Sequence, residues 1–204
     1  MNEPAESLDP RVLRTRRLLR QALVELVAEQ DFESITVQDI TDRATLNRAT
    51  LYLHYQDKYD LLEDVFHEMI AGLVPLPPPQ ITDQDRFNAI KQVQRIIAHI
   101  AEHDAFYLAL LGQRGVPAFI SQVRAYIEDV ISAWVSALQP DISQQPVRSD
   151  VVLSFYSSAC LGVIVWWLEN DMPYPSDLLT NQIVLCMMGI GPALGLRELK
   201  AMPD

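Results

Sequence analysis

Apolar residues recur along this chain at three- and four-residue intervals, and nowhere in the strict alternation of a half-buried strand. Leu18, Leu19, Ala22, Leu26 and Val27 form one such stripe, which predicts a helix over residues 10–29 with Pro10 in its first turn. Leu61, Leu62, Val65, Phe66, Met69, Ile70 and Leu73 predict another over 58–74. The proline-rich run at 75–79 cannot continue it and gives a stiff extended connector. Phe87, Ile90, Val93, Ile97 and Ile100 predict a helix over 83–103, with a bend at Asp104 and a continuation over 105–111. Phe119, Ile120, Val123, Ile127, Val130, Ile131, Trp134 and Leu138 predict one over 116–138. A loop at 139–146 then leads into helices over 147–170 and 176–189. The expected class is all-α, with about nine helices and no internal repeat.

Residues 36–61 are the most informative part. Thr36 can cap a short helix by accepting a backbone N–H three residues on, and Asp39 can answer in return. Val37, Ile40 and Ala44 fall on one face of that helix. Asn47 can cap a second short helix over 48–53, whose aliphatic residues are Ala49, Leu51 and Leu53. Arg48, Thr50, Tyr52 and His54 are left to face outward. Two short helices on a tight turn, followed at once by a third, make a helix-turn-helix, which delivers side chains into the DNA major groove. Residues at the start of a recognition helix reach base edges, so Arg48 is the expected base reader. Thr50, Tyr52, His54 and Lys58, with Thr36 and Arg14, are the expected remainder of the contact surface.

The segment from Ala44 to Leu62 closely resembles the DNA-binding motif of TetR/AcrR-type transcriptional regulators, whose pattern is Ala-Gly-Val-Ser-x-x-Thr-Leu/Ile-Tyr-x-His-Phe/Tyr-x-x-Lys-x-x-Leu. Ala44, Thr50, Leu51, Tyr52, His54, Tyr55, Lys58 and Leu61 match it, with Phe32, Thr36, Val37 and Ile40 equivalent upstream. Two positions depart: Thr45 stands for the turn glycine and Asp31 for the glycine before Phe32. A non-glycine residue at a turn position with positive φ costs about 1 kcal/mol or more. The resemblance implies an N-terminal DNA-binding domain, here residues 1–57 with an arm over 1–9. A ligand-binding and dimerisation domain over 58–204 would follow, joined to the reading head by the helix that starts at Lys58. It further implies a homodimer on a palindromic double-stranded operator, released from it by a small-molecule inducer.

Net charge is −11, an unexpected balance for a DNA binder, so distribution decides. Arg11, Arg14, Arg16, Arg17 and Arg20 form a run with no acid among them, and Arg48 and Lys58 add to the same region. A local cationic face can bind phosphates while the acidic remainder repels non-specific DNA. No uninterrupted apolar run reaches the ~18 residues needed to cross a bilayer. The acidic start lacks a signal-peptide core. A cytoplasmic location and no membrane partner are expected. Cys160 and Cys186 sit in apolar helical segments and are expected as buried thiols.

The stretch 147–170 is apolar nearly all round, which requires burial on more than one side. With 176–189 it forms the expected half of a four-helix dimer interface, built on Phe155, Ala159, Gly162, Val163, Trp167, Ile183 and Met187. The resemblance places an inducer pocket between the middle helices. Its candidate lining is Phe66, Ile97, Phe106, Tyr107, Phe119, Val123, Tyr126, Tyr156 and Trp166, which favours an apolar or aromatic compound. His99 and His103 share a helix face but lack the carboxylate set of a helical-bundle di-iron enzyme. No phosphate loop, hydrolase elbow or zinc-finger spacing occurs. No cofactor, metal or enzymatic activity is expected. A ligand-binding protein that no longer binds DNA and a metal-dependent helical enzyme are the competing readings.

Overall fold

The structure is a computed structural model that describes residues 9–71, 73, 83–138 and 147–189. The expected arm, the 75–79 connector, the 139–146 loop and the side chains of Phe87, Trp134, Leu138 and Met188 lie outside the described residues. Among the described residues every regular element is helical. The chain forms two compact units, Met1–Ala71 and Gly72–Asp204.

The first unit holds α1 (Pro10–Glu29), a 3-10 turn (Phe32–Ser34), α2 (Val37–Arg43), α3 (Arg48–Tyr52) and α4 (Lys58–Ile70). Asp9 caps α1 by accepting the Arg11 N–H at 2.8 Å, with Pro10 in the first turn. Leu19, Ala22, Leu23, Leu26 and Val27 form its buried face, against which α2 and α4 pack. Burying such a side chain stabilises by roughly 1.5–3 kcal/mol. Because α4 packs on α1 through Leu61, Leu62, Val65 and Phe66, it belongs with the first unit. The break between units therefore falls after Ala71, not at the 57/58 boundary expected from the motif alone. Helix α4 also ends at Ile70 rather than 74.

The second unit holds α5 (Asp83–Glu102), α6 (Asp104–Leu111), α7 (Pro117–Leu138), α8 (Ser149–Glu169) and α9 (Ser176–Gly189). Helix α9 packs on α5, while α8 packs on α7 and α6. The bend expected at Asp104 is the junction of α5 and α6, with His103 as its N-cap. The α6–α7 turn needs glycine twice. A Cβ on Gly112 would meet the Leu108 carbonyl at 2.6 Å, and one on Gly115 the Leu110 carbonyl at 2.6 Å. Trp167 is fully buried, and its indole N–H donates to the Tyr174 carbonyl at 2.9 Å, which fastens the α8–α9 turn.

Among the described residues one helix, α8, is long and apolar enough to cross a membrane. Asp150 and several serines break its sequence into shorter apolar runs, so a count of uninterrupted residues misses it. A core helix passes the same test, and α8 buries Val152, Tyr156, Leu161, Ile164, Trp167 and Leu168 against its own unit.

Candidate nucleic-acid interface

The helix-turn-helix is held by reciprocal caps. At the start of α2 the Thr36 hydroxyl accepts the Asp39 N–H at 3.2 Å, and the Asp39 carboxylate accepts the Thr36 N–H at 2.8 Å. These bonds lower the Asp39 pKa, with the Thr36 hydroxyl as the main cause. Between α2 and α3, Thr45 has φ 55°, the left-handed conformation its glycine-like position demands. The Leu46 N–H reaches back to the Thr41 carbonyl at 2.9 Å and the Thr45 N–H to Asp42 at 3.1 Å. The turn thus keeps its geometry and carries the strain. Asn47 caps α3 by accepting the Thr50 N–H at 3.0 Å.

Helix α3 buries only Leu51. Arg48 is exposed; its guanidinium lies 5.6 Å from the Tyr52 ring centroid and donates to the Tyr52 hydroxyl at 3.1 Å. The two form one presented unit, since Tyr52 is itself about half exposed. Leu53, one of the three aliphatic residues expected in this helix, is 80% exposed. Two residues on from Leu51 is about 200° around a helix, and that phase is the signal that would have found it. His54 is half-buried with its ring edge to Tyr55, and Arg14 is exposed on α1.

Three of the expected contact residues have their donors engaged within the unit. The Thr36 hydroxyl donates to Asp39 at 2.6 Å and the Thr50 hydroxyl to Asn47 at 3.2 Å. The Lys58 ammonium donates to the carbonyls of Phe32, Glu33 and Ile35 at 2.9, 3.0 and 3.0 Å, and lies 4.7 Å from the Phe32 ring centroid. Lys58 therefore closes the 3-10 turn rather than pointing to a phosphate. The same hydroxyl or ammonium suits either task, so residue type alone does not choose between them.

The arginine run divides in the same way. Arg16 and Arg20 face inward to Asp64 at 2.6 and 3.2 Å, and Arg20 also reaches Glu68 at 3.3 Å. The buried Tyr55 hydroxyl donates to Asp64 and accepts from Arg16 at 3.2 Å. Burial, helped by the Asp64 carboxylate, pushes Tyr55 up to about 12. Burial works against the Asp64 carboxylate, yet the Tyr55 and Arg16 hydrogen bonds prevail and lower its pKa. Among the described residues Arg11, Arg14 and Arg17 are exposed with no side-chain partner, and they remain as cations for phosphate.

In the second unit, Phe155, Ala159, Gly162, Val163 and Trp166 form an exposed stripe along α8. A Cβ on Gly162 would meet nothing within 4 Å. A concavity on this outer face is lined by Asp150, Val151, Ser154, Phe155, Ser158 and Ala159. Three residues expected at the dimer face lie inward instead. Trp167 and Ile183 are buried, and Met187 packs on the cluster of Ile131, Val152 and Tyr156. Trp166, expected in the pocket, is 47% exposed on the outer stripe, because it falls eleven residues, three turns, after Phe155.

The other expected pocket residues, Ile97, Phe106, Tyr107, Phe119, Val123 and Tyr156, are buried and Tyr126 is half-buried. Phe66 is buried in the first unit. Burial raises the pKa of Tyr107 and Tyr126. Among the described residues Gln92 Oε1, His99 Nε2 and the Tyr156 hydroxyl are buried polar atoms without a hydrogen-bond partner. Cys186 is exposed, not buried as expected, whereas burial pushes the half-buried Cys160 thiol to about 11.

Comparison with known proteins matches both units. A family described as "Bacterial regulatory proteins, tetR family" matches residues 19–65. A second, described as "Transcriptional regulator C-terminal region", matches 88–189, half of the chain. YxbF, an HTH-type transcriptional regulator of Bacillus subtilis, is 23% identical over 81% of this chain, which spans 42% of that relative's length. FasR, named as an HTH-type transcriptional activator of Mycolicibacterium smegmatis, is 22% identical over 82% of this chain and 78% of its own. The crystal structure of a TetR transcriptional regulator from Streptococcus agalactiae superposes with a TM-score of 0.61 at 22% identity, covering 86% of this chain and 94% of that one. With the helix-turn-helix and the helical C-terminal unit each matched in place, the chain belongs to the tetR family of DNA-binding transcriptional regulators, which are not enzymes.

Proposed function

We propose that this protein is a homodimeric repressor, acting in the cytoplasm, which two α3 helices hold on a palindromic operator and a small molecule releases. The observation that carries this reading is the Arg48–Tyr52 pair, stacked and exposed on a five-residue helix that buries only Leu51. Arg48 reads a base edge, Tyr52, Leu53 and His54 surround it, and Arg11, Arg14 and Arg17 supply phosphate contacts. Two such helices enter successive major grooves when about 34–36 Å apart. The exposed apolar stripe of α8 supports the dimer, because Phe155, Val163 and Trp166 would otherwise stay in water beside the open space at Gly162.

The effector is an apolar or aromatic compound with a polar handle. Its support is a mainly apolar second unit in which Gln92 Oε1 and the Tyr156 hydroxyl are buried without partners. Release requires that the effector favour the form with low DNA affinity. A hundredfold weakening corresponds to a coupling of about 2.7 kcal/mol, and operator must weaken effector binding by the same factor. The relative named as an activator favours a second reading, in which the bound regulator raises transcription. A reporter driven by the DNA flanking the gene separates the two: deleting the regulator raises output for a repressor and lowers it for an activator. Gel shift with that DNA tests the binding itself, with two chains expected per inverted repeat.

A further inference from the structure

The junction of α5 and α6 gathers three metal-binding side chains. His99, Glu102 and His103 follow the i, i+3, i+4 spacing that folds onto one helix face. One donor atom from each lies within 4.8 Å of the others, and the imidazole centroids are 4.6 Å apart. His103 is the N-cap of α6 but makes no side-chain capping bond, so its ring is not engaged at the helix end. The buried Nε2 of His99 has no hydrogen-bond partner, which leaves that ring with coordinating capacity unused. The Tyr107 ring stands edge-on to His99 at 6.0 Å between centroids and 79° between planes.

We propose that His99, Glu102 and His103 bind one zinc-class divalent transition-metal ion at the α5–α6 junction. The donor set decides the class. Two imidazole nitrogens and one carboxylate suit zinc, nickel, cobalt or copper, whereas magnesium and calcium take oxygen ligands. Bonds of about 2.0–2.2 Å to a tetrahedral ion hold its donors roughly 3.4 Å apart, so donors within 4.8 Å of one another need close by at most about 1.4 Å. Three protein ligands leave one position for water or an added ligand. Glu102 is the last residue of α5 and His103 precedes α6, so the ion ties the end of one helix to the start of the next. The site does not depend on how the DNA-binding unit is read.

The full chain, stripped with a chelator and dialysed, is titrated with zinc chloride in competition with a fluorescent zinc chelator. One ion per chain is expected, undisturbed by excess magnesium. Glu102 and His103 are exposed, so Glu102→Gln and His103→Ala leave the fold intact by circular dichroism. Each weakens zinc binding by roughly tenfold or more, since even loss of an outer-shell partner costs that much. His67→Ala, which removes a separate histidine–carboxylate pair (Nε2 3.7 Å from Glu63), leaves affinity unchanged. Cobalt substitution gives the weak visible bands of nitrogen and oxygen ligands. Absence of binding, unchanged affinity in both variants, or a thiolate charge-transfer band that places the ion on the cysteines would each overturn the proposal.

Discussion

Trp166 and Trp167 are chain neighbours with opposite surroundings: Trp166 is 47% exposed on the outer stripe of α8, while Trp167 is 1% exposed and hydrogen-bonded to the Tyr174 carbonyl. The pair separates the proposed dimer face from the core. Val163→Asp puts a charge on the face beside Trp166, and should split the dimer at micromolar protein while leaving the monomer folded, because a charge desolvated without a partner costs several kcal/mol. Trp167→Ala should instead destabilise the fold by about 3–5 kcal/mol. Sedimentation reads the first and chemical denaturation the second. A monomeric wild type, or a dimer that survives Val163→Asp, moves the interface off α8.

Lys58→Met tests the inward ammonium. The variant keeps the aliphatic stem and leaves the carbonyls of Phe32, Glu33 and Ile35, in and just after the 3-10 turn, without their donor. Stability should fall by about 2–3 kcal/mol, the scale of a charge-assisted hydrogen bond. The slope of DNA affinity against salt should stay the same, since no phosphate contact is lost. A flatter slope at unchanged stability would return Lys58 to the DNA surface.

Thr45→Gly relieves the one strained position of the helix-turn-helix. At φ 55° a β-branched residue is disfavoured by about 1 kcal/mol relative to glycine. The Thr45 hydroxyl bonds only its neighbour's carbonyl, Ala44 at 2.7 Å, and little is forfeited with it. Thermal denaturation should show a rise of a few degrees.

The first unit should fail at both ends of the pH scale. Tyr55 is raised from 10.0 to about 12, so the stability of its protonated hydroxyl is complete below pH 10 and disappears between pH 10 and about 12. Asp64 is lowered from 3.8, so its contribution is present above pH 3.8 and is lost as pH falls through the lower folded value. Tyr55→Phe removes the alkaline limb. Helical circular dichroism against pH, with and without that substitution, checks both signs.

The all-α class and the helix-turn-helix are legible because they rest on local rules: apolar spacing sets each helix, and Thr36 and Asn47 cap as their hydroxyl and amide chemistry predicts. The place of the turn at Thr45 follows from the same caps, whereas its left-handed backbone is a finding of the structure. What failed depended on partners far along the chain. Lys58 meets carbonyls more than twenty residues away, and Arg16 and Arg20 meet Asp64 more than forty away, so no local pattern reveals that their charges are engaged. On α8, apolar all round, periodicity cannot choose a face; only packing on α6 and α7 turns Trp167 inward and Trp166 out. The grouping of Glu102 with His99 and His103 needs side-chain positions, because a pair of histidines four apart does not by itself show which carboxylate stands beside it.

The proposed function turns on α3 reading DNA through Arg48. Fluorescence anisotropy with a labelled duplex from the DNA flanking the gene, titrated at several salt concentrations, measures it for wild type and Arg48→Ala. A salt-dependent wild-type complex is expected, with a loss of about 1–3 kcal/mol in the variant and relaxed preference at one base pair of each half-site. Arg48→Ala binding with wild-type affinity and wild-type preference would contradict it.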